Sequence, residues 1–137
     1  MKNCNVFFLI VGILCILFAF THTWGGLKTS LSILNNSEID SSTKIVFTYV
    51  WHIIGIENFI FGIALIIMSF KKNKENIKFT AWVIIAILTF RLIIISLFTL
   101  MNGESGIGEL LIDSIAIIIV IALLIFGTRM KKQFNIL

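Results

Sequence analysis

The stretch Ile45 to Phe70, IVFTYVWHIIGIENFIFGIALIIMSF, decides the fold. Wound as an α-helix at ~1.5 Å per residue, it outreaches the ~30 Å hydrocarbon core of a bilayer. Glu57 is its sole formal charge and His52 its sole imidazole. Three further runs have the same character: Val6 to Trp24, Phe79 to Met101 and Ile107 to Gly127. The chain has 137 residues, 58% of them hydrophobic, with no proline and a mean hydropathy of +1.06, a composition far from that of soluble domains. We read an all-α integral membrane four-helix bundle, a single domain over 1–137 without internal repeats.

The connections leave no room for a soluble domain. The longest, Gly25 to Lys44, has the Ser, Asn, Asp and Glu content of a turn-rich loop, within which LKTSLSIL is suited to a short interfacial helix. The first run outlasts the apolar region of a cleavable leader and is read as a retained helix. Gly103, Gly106 and Gly108 suit a tight turn before the fourth helix, where Glu104 and Glu109 would repel a phosphate.

Basic residues orient the bundle. Lys2, Lys71, Lys72, Lys74, Lys78, Arg129, Lys131 and Lys132, eight of the eleven Lys and Arg, fall on one side, with Lys28 and Lys44 on the other. Positive loops stay in the cytoplasm, which places both termini inside and makes this a multi-pass protein of the inner (cytoplasmic) membrane. The net charge of +4 is this orientation signal, with a secondary attraction for anionic headgroups; residues scattered at helix ends do not form a nucleic-acid surface. Trp24, Tyr49 and Trp51 suit an outer aromatic belt and Trp82 an inner one. Cys4 and Cys15 lie too far apart along the first helix for a disulfide, and Cys15 reads as a small packing residue.

With depth assigned this way, His22, His52, Glu57, Arg91, Glu109 and Asp113 all fall at or outward of the midplane, and the inner half has essentially no ionisable group. A charge at the bilayer centre costs about 2.5–3.5 kcal/mol on insertion scales unless it is paired, hydrated or turned inward. The economical arrangement turns His22, His52, Glu57, Arg91 and Asp113 into the bundle, with Arg91 neutralising Glu57, Asp113 or both. Gly12, Cys15, Ala19 and His22 share one stripe of the first helix, and His52, Gly55, Phe59 and Gly62 repeat that spacing on the second. These two faces are therefore expected to pack on each other.

The motif THTWGG followed by YVWHIIGIENFIFGIAL resembles a family of small bacterial four-helix membrane proteins that carries no assigned activity. The resemblance rests on an H-[ST]-x-x-G element closing helix 1 and a W-H element opening helix 2, matched here by His22, Thr23, Gly26, Trp51 and His52. Its layout covers nearly the whole chain. An acidic residue often follows the glycine of the first element, where this chain has Leu27. The resemblance implies the same four-helix fold and singles out the two histidines.

Three classes of function are compatible with these residues. His22 and His52 could ligate a haem or a transition metal, with Glu57 or Asp113 as a further ligand or orienting partner, although no E-x-x-H spacing supports it. In the plainer alternative His22 caps its helix or bonds a loop carbonyl, and His52 hydrogen-bonds across helices. An oligomeric proton- or ion-coupled transporter would use Glu57, Arg91, Asp113 and His52 as a titratable relay. Ser96 and Ser114 lack a nucleophile context and there is no phosphate loop, so no catalytic residue is assigned. The leading expectation is an accessory or interaction subunit, or a ligand-binding membrane protein, working in the lipid bilayer as a homo-oligomer or with a membrane-protein partner.

Overall fold

The computed structural model describes residues 4–71, 74–101 and 107–129. Among them every regular element is helical: α1 Val6–Lys28, α2 Ser30–Asn36, α3 Ser41–Phe70, α4 Lys74–Met101 and α5 Ile107–Arg129. Four segments are long and apolar enough to cross a membrane, the first of them counting α1 and α2 together as Val6–Asn36. The four-helix count read from the apolar runs holds. The helices extend beyond those runs, because polar residues contribute turns that hydropathy does not detect.

The expected loop from Gly25 to Lys44 is the largest correction. Most of it is helical, leaving only residues 37–40 between α2 and α3. The α1 backbone passes into α2 through Thr29, whose amide and hydroxyl both donate to the Gly25 carbonyl, at 2.9 and 2.8 Å. With no proline present, nothing removes a donor from this path. Helix α3 begins four residues before the apolar run because Asp40 caps it. The Asp40 carboxylate accepts from the Thr43 amide at 3.0 Å and from the hydroxyls of Ser42 and Thr43, each at 2.5 Å. Those three donors hold the Asp40 carboxyl well below the usual carboxylate range, the Ser42 hydroxyl contributing most. The segment KKNKENIK, read as a cytoplasmic loop, is helical from Lys74, with Glu75 in the first turn of α4 where the helix dipole favours an acid. Lys72, the glycine turn at Gly103 and Gly106, and the basic tail after Arg129 lie outside the described residues.

The chain divides into two compact units, Gly12–Ile67 and the remainder. In the first, α1 and α3 meet backbone to backbone. A Cβ on Gly12 would stand 2.7 Å from Ile66 Cγ1 and 2.9 Å from the Gly62 carbonyl oxygen; one on Gly62 would stand 2.5 Å from Ile16 Cγ1 and 2.7 Å from the Gly12 oxygen. Only glycine allows so close a crossing, the device that lets helices associate where lipid offers no hydrophobic drive.

In the second unit Asn5 joins three chain segments. Its side-chain oxygen accepts from the Phe8 amide at 3.3 Å as the N-cap of α1, its side-chain amide donates to Gly127 O at 2.8 Å, and its backbone amide donates to Ser69 O at 2.8 Å. Phe8 packs against the α-carbon of Gly127 and is fully buried. On α4 the buried seam is Ala81, Ile84, Ile85 and Leu88, the i, i+3, i+4, i+7 spacing of one helix face. Helix α4 packs along α5.

Candidate functional site

The two short elements that drew attention to the histidines come together at the α2 end of the Gly12–Ile67 unit. The His22 imidazole stacks on the Trp51 indole with ring centroids 4.4 Å apart and planes within 6°, and Phe18 stacks on His22 from one turn earlier at 5.6 Å. Trp51 Nε1–H donates to the His22 carbonyl at 3.1 Å, using that oxygen's second lone pair. The indole lies so close over Gly26 that a Cβ there would overlap its nitrogen. Thr23 fills the equivalent notch at Gly55, where a Cβ would stand 2.6 Å from the threonine hydroxyl. His22, Thr23, Gly26 and Trp51 are thus a helix–helix interlock: two rings stacked, one indole seated on a glycine, one hydroxyl seated on another.

The interlock corrects the register expected for α3. The stripe that this helix buries runs through Gly55, Asn58, Gly62 and Leu65, with half-buried Trp51 one turn before it, rather than through Phe59, which is exposed. Both stripes contain the two glycines. The neighbouring one prevails because Trp51 finds its seat on Gly26, and because Asn58, 4% exposed, satisfies its side-chain amide on the Ile54 carbonyl at 2.7 Å. Phe59 is exposed and meets Phe20 edge-on at 6.1 Å.

His52 falls on a different face. Half-buried, it lines an open groove of about 460 Å³ between α2 and the start of α3, with Asn35, Lys44 and Tyr49 on its polar side and Ile53 and Ile56 below. The groove owes its upper wall to Lys44, whose ammonium donates to the carbonyls of Asn35 at 2.9 Å and Ser37 at 2.7 Å and so caps the C-terminus of α2. Sequence reasoning treated Lys44 only as an orientation charge. Its position just after a loop of Ser, Glu, Asp and Asn was a signal for helix-end capping that periodicity does not carry.

Glu57 on α3 and Arg91 on α4 are each half-buried. Asp113 on α5 is exposed. The fully buried residues of α5 among those described are Leu124, Gly127 and Thr128 at its far end, while in its first half Ile107, Leu110, Ser114 and Ile117 are half-buried. Only 11% of the most apolar window of α5 is buried, against 33% for α3. Of Glu109 only the backbone is described. Among the described residues no three His, Cys, Asp or Glu side chains gather in a metal-binding set.

No family model, curated protein or solved structure matches the chain. The five residues His22, Thr23, Gly26, Trp51 and His52 drew attention in the sequence. Four of those five form the interlock.

Proposed function

We propose that the protein is an interaction subunit of the cytoplasmic membrane, with both termini cytoplasmic, that docks a transmembrane helix of another polypeptide through α5. The observation that carries this reading is the exposure of Asp113 on the least buried of the membrane-length helices. Asp113 lies roughly 9 Å along α5 from Ile107, inside the apolar span, and its short side chain cannot extend to the surface as a lysine does. A carboxylate facing lipid there bears part of the about 2.5–3.5 kcal/mol charged-residue penalty, which a partner would relieve. Ile112 lies beside it as exposed apolar surface, and Ala116, nearly one turn on, is small enough to leave room for close approach.

The partner chemistry follows from the charge. A two-fold contact of α5 with a second copy around Asp113 would bring like carboxylates together, whereas a helix carrying Lys or Arg at matching depth pairs with it. The test is energy transfer in vesicles between the labelled protein and synthetic polyleucine helices with or without one lysine at that depth. The lysine helix should associate, the plain helix should not, and Asp113→Leu should remove the difference. Equal transfer from both helices, or self-association dependent on Asp113 that the lysine helix does not compete, overturns the reading.

A further inference from the structure

We propose that the groove between α2 and α3 is a binding site for an anionic phospholipid, its phosphate on Lys44 and its acyl chain along Ile53 and Ile56. The groove is built entirely from residues of the Gly12–Ile67 unit, and the proposal does not depend on how α5 is used.

The first reason is the order of chemistry along one helix face. Lys44, Thr48, His52 and Ile56 follow one another at four-residue steps, and Tyr49 and Ile53 run beside them. Four residues advance a helix by ~6 Å, so the face spans about 18 Å from ammonium to isoleucine, passing from charge through hydroxyls and imidazole to pure hydrocarbon. That is the polarity sequence of one lipid leaflet, whose hydrocarbon half is ~15 Å deep. Helix α3 has 30 residues and is about 45 Å long, so its first turns extend past the apolar core to headgroup level, where Lys44 stands.

The second reason is uncompensated charge. Asp40, one turn before Lys44, would be its natural ion-pair partner at i, i+4. Its carboxylate is instead occupied by Ser42, by Thr43 and by the first turn of α3. Lys44 is held by two backbone carbonyls that have no formal charge, and these occupy two of the three donors of its ammonium. What remains is a positioned cation with a donor to spare, at the polar end of an apolar groove. The volume, about 460 Å³, is in the range of ligand sites. Tyr49 adds a hydroxyl below Lys44 and His52 a ring nitrogen, while the Thr48 hydroxyl is spent on the Lys44 carbonyl at 2.8 Å.

The experiment reconstitutes the full chain in phosphatidylcholine vesicles containing a trace of spin-labelled phosphatidylglycerol or spin-labelled phosphatidylcholine, and reads the motionally restricted fraction of each. Wild type should prefer the anionic lipid by about fivefold, the ratio that ~1 kcal/mol per basic residue near a membrane surface produces. Lys44→Gln should lower the preference and Lys44→Arg should keep it. Because Lys44→Gln also uncaps α2, Ile53→Trp provides a second route: it fills the apolar half, leaves Lys44 in place, and should reduce the restricted fraction of phosphatidylglycerol. Equal restriction of the two lipids in wild type overturns the proposal, as does a preference that neither Lys44→Gln nor Ile53→Trp lowers. Full competition by soluble glycerophosphate would also overturn it, since the groove would then bind a free anion and have no use for the acyl chain.

Discussion

At the scale of single residues, His22 and Trp51 show how a short motif can suggest chemistry and serve as packing. Two histidines near the ends of apolar helices invite a ligand reading, and the sequence contains nothing that separates ligation from ring stacking. The distinction lies in Gly26, whose missing side chain admits the indole. Gly26→Val should therefore be severe: overpacking of this kind costs about 1–3 kcal/mol, and here the intruding atoms meet a rigid bicycle rather than a flexible chain. Trp51→Phe should be milder, losing the hydrogen bond to the His22 carbonyl at about 0.5–1.5 kcal/mol together with part of the stack. Thermal unfolding in detergent checks the order. A Trp51→Phe variant less stable than Gly26→Val would mean that the bond, not the seat, holds α1 to α3. The stripe through Gly12, Cys15, Ala19 and His22 was legible because its small residues have one periodic solution. On α3 two periodic solutions share Gly55 and Gly62, and periodicity alone had no means to choose.

At the scale of elements, hydropathy located the middle of every long helix and missed the polar turns added at their ends. Asp40 explains why α3 starts at Ser41, and the cap has a pH signature whose sign follows from its donors. The folded carboxyl titrates below the unfolded aspartate value of about 3.9, so the cap contributes fully above that pH, and its contribution falls away as pH drops through the folded value. The carbon-13 resonance of the Asp40 carboxyl should accordingly report an ionised group at pH 4, where an unperturbed aspartate is about half protonated. Asp40→Asn should keep a capped α3, since asparagine caps as well, while losing the acid-dependent part of the stability. A midpoint at or above the unfolded value would show that the Ser42 and Thr43 hydroxyls do not hold the anion as the geometry indicates. The helical path from α1 into α2 was partly legible in LKTSLSIL. What the sequence concealed was the role of Lys44 in ending α2, because a lysine that bonds backbone carbonyls leaves no periodic trace.

For the whole molecule, the apolar runs and the basic residues carry separate messages. Four long helices follow from length and hydropathy alone, and the structure has them. Their sidedness rests on charge: Lys71 and Lys78 frame the α3–α4 connection with further lysines between them, whereas the α2–α3 connection at residues 37–40 has Glu38 and Asp40, and Lys44 beyond it is engaged with backbone carbonyls. If positive segments are retained on the cytoplasmic side, residues 37–40 should lie outside and Lys71 inside. In a chain with Cys4 and Cys15 replaced, a cysteine at Glu38 should react with an impermeant maleimide added to intact cells, and a cysteine at Lys71 only after the membrane is opened. The converse labelling would invert the molecule, placing Lys44 and the lipid groove in the cytoplasmic leaflet. That leaflet has the stronger negative surface potential, so inversion would move the groove toward its proposed ligand while defeating the charge rule that assigned the sides. The labelling thus decides which leaflet supplies the groove, and the spin-label preference decides independently whether the groove takes a lipid.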